Sequence, residues 1–104
     1  MKSEFYPIDI IDNVTFVGTI IAAFDTLCEL FGKHWSVSDD DELDVNYDIG
    51  WDIIQRETNI QIEVSAEIEI FTDPHEVIKW NVQASRDDVS LCEKLQKFVD
   101  QHNT

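Results

Sequence analysis

Twice in succession this chain alternates apolar and polar residues strictly, and a period of two dictates a strand with one buried face and one wet face. Leu43, Val45, Tyr47, Ile49, Trp51 and Ile53 take turns with Asp44, Asn46, Asp48, Gly50 and Asp52. Gln55 to Asn59 reads as a turn, after which Ile60, Ile62, Val64, Ala66, Ile68 and Ile70 interleave with Gln61, Glu63, Ser65, Glu67 and Glu69. A second turn signal, Thr72-Asp73-Pro74-His75, leads into Ile78, Trp80, Val82 and Ala84 against Lys79, Asn81 and Gln83. Such turn sequences punctuate strands by fixing backbone angles that strands do not use. Short links between three alternating segments predict an antiparallel meander.

The flanking segments supply what must cover the apolar face. Phe5 to Ile11 and Val14 to Val17, parted by Asp12-Asn13, read as a hairpin. From Thr19 the spacing changes to three and four through Ile20, Ile21, Phe24, Leu27, Cys28 and Phe31. That spacing predicts a helix over 20–31, capped by Thr19 and closed by Gly32. Lys33 to Glu42 is polar and reads as a loop. Near the end, Ser85-Arg86-Asp87-Asp88 has the form of a helix start with Ser85 as cap. Val89, Cys92, Leu95 and Val99, flanked by Leu91 and Phe98, form its apolar stripe, and Lys94 and Lys97 stand towards its end. The fold expected is α+β in a single domain over 1–104: an antiparallel sheet of three to five strands with two helices packed on one face, in the order β(β)αβββα. Whether residues 5–17 join the main sheet stays open. An edge strand there would offer a route to a homodimer.

A chain of 104 residues holds one core rather than two, and 43% apolar residues is too rich a content for a disordered acidic tail. The 22 Asp and Glu against 7 Lys and Arg give a formal net charge of -15. Polyanions bind where lysine and arginine displace counterions, so direct nucleic-acid binding and binding to anionic membranes are disfavoured. Cys28 and Cys92 stand far apart with no metal-ligand spacing and read as reduced thiols. Met1 to Pro7 has no signal-peptide pattern, no apolar run would span a bilayer, and the expected location is the cytoplasm, that of the host cell if the protein is phage-encoded.

Residues for chemistry are sparse. His34, His75 and His102 lack convergent cysteines or a second histidine and read as surface residues. Asp44-Val45-Asn46-Tyr47-Asp48 has the start of a calcium loop, but its glycine falls late at Gly50 and its twelfth position is Gln55. Glu63 and Glu67 on a flat, wet face would have nothing to separate their pKa values for acid–base work. Three glycines leave no phosphate loop. The expectation is a non-enzymatic protein with no metal and no cofactor.

The acids themselves are the candidate site. Between Val37 and Glu76 the only base is Arg56, while the wet face carries Asp44, Asp48 and Asp52 on one strand and Glu63, Glu67 and Glu69 on the next. Same-face residues on a strand lie about 6.5 to 7 Å apart, close to the repeat of backbone phosphates. Like charges facing each other cost stability, so an unrelieved row of them points to a partner, although a wet sheet face and a need for solubility account for acids as well. The run Asp39-Asp40-Asp41-Glu42 would extend the acidic surface. Trp51 and Trp80 fall on the inward phase as core. Trp35 either stands beside the acidic loop as an anchor for a partner or folds back to seal the helix end.

The succession Leu30-Phe31-Gly32, an acidic loop, Trp51-Asp52-Ile53, Ile68-Glu69-Ile70-Phe71, Lys79-Trp80-Asn81-Val82 and a closing helix resembles small phage-encoded acidic α+β proteins over most of the chain after Thr19. After Phe31-Gly32-Lys33, where those proteins tend to have proline, this chain has His34. The resemblance implies the fold and a phage context and transfers no site residue. Charge and resemblance together lead to the expectation of a phage anti-defence inhibitor, of the anti-CRISPR or anti-restriction kind. It would act as a DNA mimic on a basic partner surface such as that of a nuclease or another nucleic-acid-binding protein. An immunity protein that neutralises a nuclease toxin has the same composition. A structural or assembly accessory, charged only for solubility, is the alternative of a different class.

Overall fold

A computed structural model of the chain describes residues 4–9, 13–38 and 46–102. The alternating segments form strands β4 (Asn46–Gln55), β5 (Gln61–Glu69) and β6 (Lys79–Ala84), each antiparallel to the next. Their inward phase carries Ile49, Trp51, Ile53, Ile62, Val64, Ala66, Ile68, Trp80, Val82 and Ala84, all buried. Asn59 relieves the tight β4–β5 link by adopting a left-handed φ of 58°, a conformation asparagine tolerates. Leu43, Val45 and Asp44, the expected start of β4, and the run Asp39 to Glu42 lie outside the described residues.

Three further strands make this a six-stranded sheet, one more than the expected upper bound. Strand β1 (Phe5–Pro7) pairs with the last residues of β4, and β3 (Trp35–Ser38) pairs with its first half, so the two share one edge. Strand β2 (Thr15–Ile21) lies at the opposite edge, against β6. The hairpin expected over 5–17 is therefore absent, because β1 and β2 sit on opposite edges of the sheet. Both join it.

The helix expected over 20–31 begins later. Helix α1 spans Phe24–Phe31 with Ala23 at its N-cap and no side-chain cap. Thr19, Ile20 and Ile21 belong to β2, which is rich in β-branched residues, and Ala22 N–H still donates to Ile78 O at 2.9 Å. Periodicity misled here because Ile20 of the strand and Phe24, Leu27 and Phe31 of the helix are buried at helix-like intervals. The end is as expected: Gly32, at φ 86°, donates its N–H to Cys28 O.

The closing helix α2 spans Ser90–His102. Its start is set by Asp88, whose Oδ1 accepts from Ser90 N–H at 3.0 Å and from Ser90 Oγ at 2.6 Å. Ser85, the expected cap, instead accepts from Gln61 N–H with its hydroxyl. Because the helix starts later, Val89 drops out of the apolar stripe and is exposed, while Leu91, Leu95 and Val99 are fully buried. Ile70 and Ile78, expected inside, are also exposed, since they lie just past the end of β5 and before the start of β6.

Both helices cover one face. Phe24 of α1 packs its ring 5.7 Å from Trp51 and 6.3 Å from Trp80, and Phe98 of α2 lies 5.2 Å from Phe5. Gln96 of α2 closes part of the free edge of β2: its amide donates to Ile21 O at 2.8 Å and accepts from Ile21 N–H at 2.7 Å. A side chain that satisfies both backbone groups removes them from the menu of an incoming strand. No helix among the described residues is long and apolar enough to cross a membrane.

Candidate functional site

The register of the sheet sets out its outer face in rows. One row runs Asp52, Glu63, Gln83, Phe16; the next, Trp35, Gly50, Ser65, Asn81, Thr19; and a third, Val37, Asp48, Glu67, with Asn46 opposite Glu69 beyond it. The acids therefore face acids directly: Asp52 opposes Glu63 and Asp48 opposes Glu67. Of the outer-face acids expected from the sequence, Asp48, Asp52, Glu63, Glu67 and Glu69 come together on β4 and β5. Asn46 Nδ2 donates to Glu67 Oε1 at 3.3 Å.

This face is not the flat, fully wet surface expected. Trp35 belongs to β3 rather than to a loop, and it neither stands free nor seals the helix end. Its ring lies over Gly50, and its Nε1–H donates to Asp52 Oδ1 at 3.0 Å. The helix end is closed by Trp51, whose Nε1–H donates to Gly32 O at 2.9 Å. Asp9, just after β1, and Val14, just before β2, line a cleft of about 420 Å³ together with Trp35, Val37, Asp52 and Glu63. A neighbouring cleft of about 490 Å³ shares Asp9, Trp35 and Asp52 and extends past Lys33 and His34 to Trp51. Val37, Asp9 and Val14 were missed from sequence. Trp35 and Val37 do alternate, but two residues on one phase are too short a signal for a strand.

Partial cover of this face changes the electrostatics. Partial burial, followed by the charges of Asp52 and Asp48, pushes the Glu63 carboxyl above its ordinary pKa. Asp52 is pushed up by partial burial as well, against the opposing effect of the Trp35 hydrogen bond. A carboxyl whose pKa is raised by folding binds more protons when native than when unfolded, so the pair weakens the fold as pH rises from about 4 through the raised values. Glu63→Gln is therefore expected to stabilise the fold at neutral pH by the ~0.2–1 kcal/mol of a facing like-charge pair, read as a higher urea midpoint. At about pH 3, below the ordinary values of both Asp and Glu, the difference between wild type and variant should vanish. An equal gain at both pH values would show that charge is not the cause.

Of the histidines, His34 lines a cleft that it shares with Asp9 and Asp52. His34 is half-buried, edge-on to Phe24 at 5.2 Å and to Trp51 at 6.1 Å, rather than a surface residue. Exposed His75 bridges the turn before β6 to α1, with Nδ1 2.8 Å from Asp73 Oδ1 and Nε2 3.0 Å from Asp25 Oδ1. Its pKa is raised, chiefly by the hydrogen bond to Asp73. His102 contacts Glu29 at 2.8 Å. Among the described residues no three His, Cys, Asp or Glu side chains are grouped to hold a metal ion. Comparison of the chain with protein-family models, with curated proteins and with solved structures gives no match in any of the three.

Proposed function

We propose that this chain is a non-enzymatic acidic binding protein that occupies a basic, nucleic-acid-binding surface of a partner protein, as a phage anti-defence inhibitor would. One observation carries the reading: Asp48 faces Glu67 and Asp52 faces Glu63 across two central strands, with no lysine or arginine in those rows. Placing like charges opposite one another costs stability that a soluble sheet avoids by interspersing bases. A basic partner would offset that cost. Rows of carboxylates at strand spacing offer such a partner charges at about the intervals of successive phosphates, and complementary potentials of this kind speed encounter and fix register. The resemblance to small phage-encoded acidic proteins supports the anti-defence setting.

The test is affinity capture from host extract, comparing wild type with a Asp48→Lys, Glu63→Lys, Glu67→Lys variant shown by circular dichroism to remain folded. The expected result is a nucleic-acid-binding protein retained by wild type at low salt, displaced by duplex DNA and by moderate salt, and not retained by the variant. Retention unaffected by the three substitutions or by competing DNA would overturn the reading and favour an accessory protein whose charge serves solubility.

A further inference from the structure

The cleft beside Trp35 combines features that bare acidic surfaces lack. Its walls are an indole ring, Val14 and Val37, and its polar groups are the carboxylates of Asp9, Asp52 and Glu63. Its volume of about 420 Å³ is far above the ~10–15 Å³ that a single water molecule needs, so it admits a long side chain. Apolar walls suit a methylene stem, carboxylates suit a cationic head, and an indole face attracts a cation through its quadrupole. Trp35 is held in place: its Nε1–H bond to Asp52 Oδ1 fixes the ring, and the carboxylate keeps further lone pairs for an incoming donor. Asp52 and Glu63, directly opposed in register, present those acceptors side by side.

We propose that this cleft receives an arginine side chain of the basic partner, with the guanidinium stacked on Trp35 and hydrogen-bonded to Asp52 and Glu63. The assignment rests on the function proposed above and names the anchor within it. Arginine fits better than lysine because its planar fork both stacks on an aromatic ring and engages carboxylates with paired donors, whereas an ammonium is a compact, strongly hydrated charge. Anchors of interfaces are typically such residues in partly closed pockets ringed by weaker contacts. The exposed acids Asp48, Glu67 and Glu69 would supply that surrounding, steering rim.

The test uses the full chain labelled with ¹⁵N and three short peptides, an oligoarginine, a matched oligolysine and a neutral oligocitrulline, at low salt. Oligoarginine is expected to shift the Trp35 indole N–H signal and the backbone signals of Asp52 and Glu63 saturably, and oligocitrulline to leave them in place. Glu63→Gln, which keeps the Trp35–Asp52 bond and is expected to be the more stable protein, should weaken oligoarginine binding about tenfold, the effect of removing the acceptor's charge from one hydrogen bond. Equal shifts and affinity with oligolysine would overturn the choice of arginine. Shifts confined to Asp48, Glu67 and Glu69, with the Trp35 indole unmoved, would overturn the cleft while leaving the acidic-face function standing. If oligoarginine moved no signal, both would fall.

Discussion

Alanine at position 50 is expected to destabilise the protein by about 3 kcal/mol, the upper end of the usual cost of overpacking. Gly50 lies near the middle of β4, between Trp35 on one side and Ser65 on the other. A Cβ there would overlap the Val64 carbonyl oxygen and stand 2.8 Å from Ser65 Cβ and 2.9 Å from Trp35 Cζ2. The indole could swing aside, but the Val64 oxygen belongs to the ladder of a central strand and cannot move without opening β4 from β5. Urea unfolding followed by circular dichroism gives the size of the loss. The Trp35 indole signal should also shift in the folded fraction, because the ring can no longer lie over position 50. An unchanged midpoint would mean that Trp35 and β5 are not packed against Gly50 in this way.

Trp80→Ala is expected to cost about 3 to 5 kcal/mol, as for other buried large aromatics. Trp80 is fully buried, its ring lies 5.2 Å from that of Trp51 at 66°, and its Nε1–H donates to Ala22 O at 2.9 Å. It thus joins the sheet to the junction between β2 and α1. Alanine would leave a cavity under α1 and an unpaired carbonyl. Trp80→Phe separates the two effects: it fills most of the space but still orphans the Ala22 carbonyl, an expected loss of about 1 to 3 kcal/mol. Small domains have only about 5 to 15 kcal/mol to lose, so the alanine variant should be partly unfolded at 37 °C. Thermal unfolding of the two variants side by side checks the order. A phenylalanine variant as stable as wild type would mean that the indole N–H bond contributes nothing.

Sequence and structure agree where a signal is local and repeated. The phase of Ile49, Trp51 and Ile53, of Ile62, Val64, Ala66 and Ile68, and of Trp80, Val82 and Ala84 is legible because each residue repeats the same inward choice along an extended backbone. Gly32 marks the end of α1 because a left-handed φ there favours glycine. The acids of β4 and β5 follow from the same phase: once Trp51 points in, Asp48 and Asp52 must point out.

Elsewhere one residue pattern served two structures. Ile20 is buried by pairing opposite Trp80 in a strand, yet its spacing to Phe24 is that of one helical turn, and only pairing with β6 decides between them. The β-branched content of Thr15 to Ile21 was the contrary signal, weakened by the register shift between Phe16 and Gly18. In β3, Ser36 and Ser38 fall in the rows of Ile49 and Tyr47 yet are exposed, while Trp35 and Val37 take the outer-face rows, the reverse of the usual pattern, so the strand reads as loop until β4 is beside it.

By itself, then, the sequence determined the meander, the composition of its core and the side on which its carboxylates emerge, because strand phase is a property of neighbouring residues. Only the tertiary structure decided that β1 and β2 take opposite edges, that Asp9 and Val14 come to the acidic face, and that Trp35 closes over Gly50 onto Asp52. Those contacts join residues such as Asp9, Trp35, Asp52 and Glu63, whose proximity comes from strand order and register rather than from any spacing along the chain.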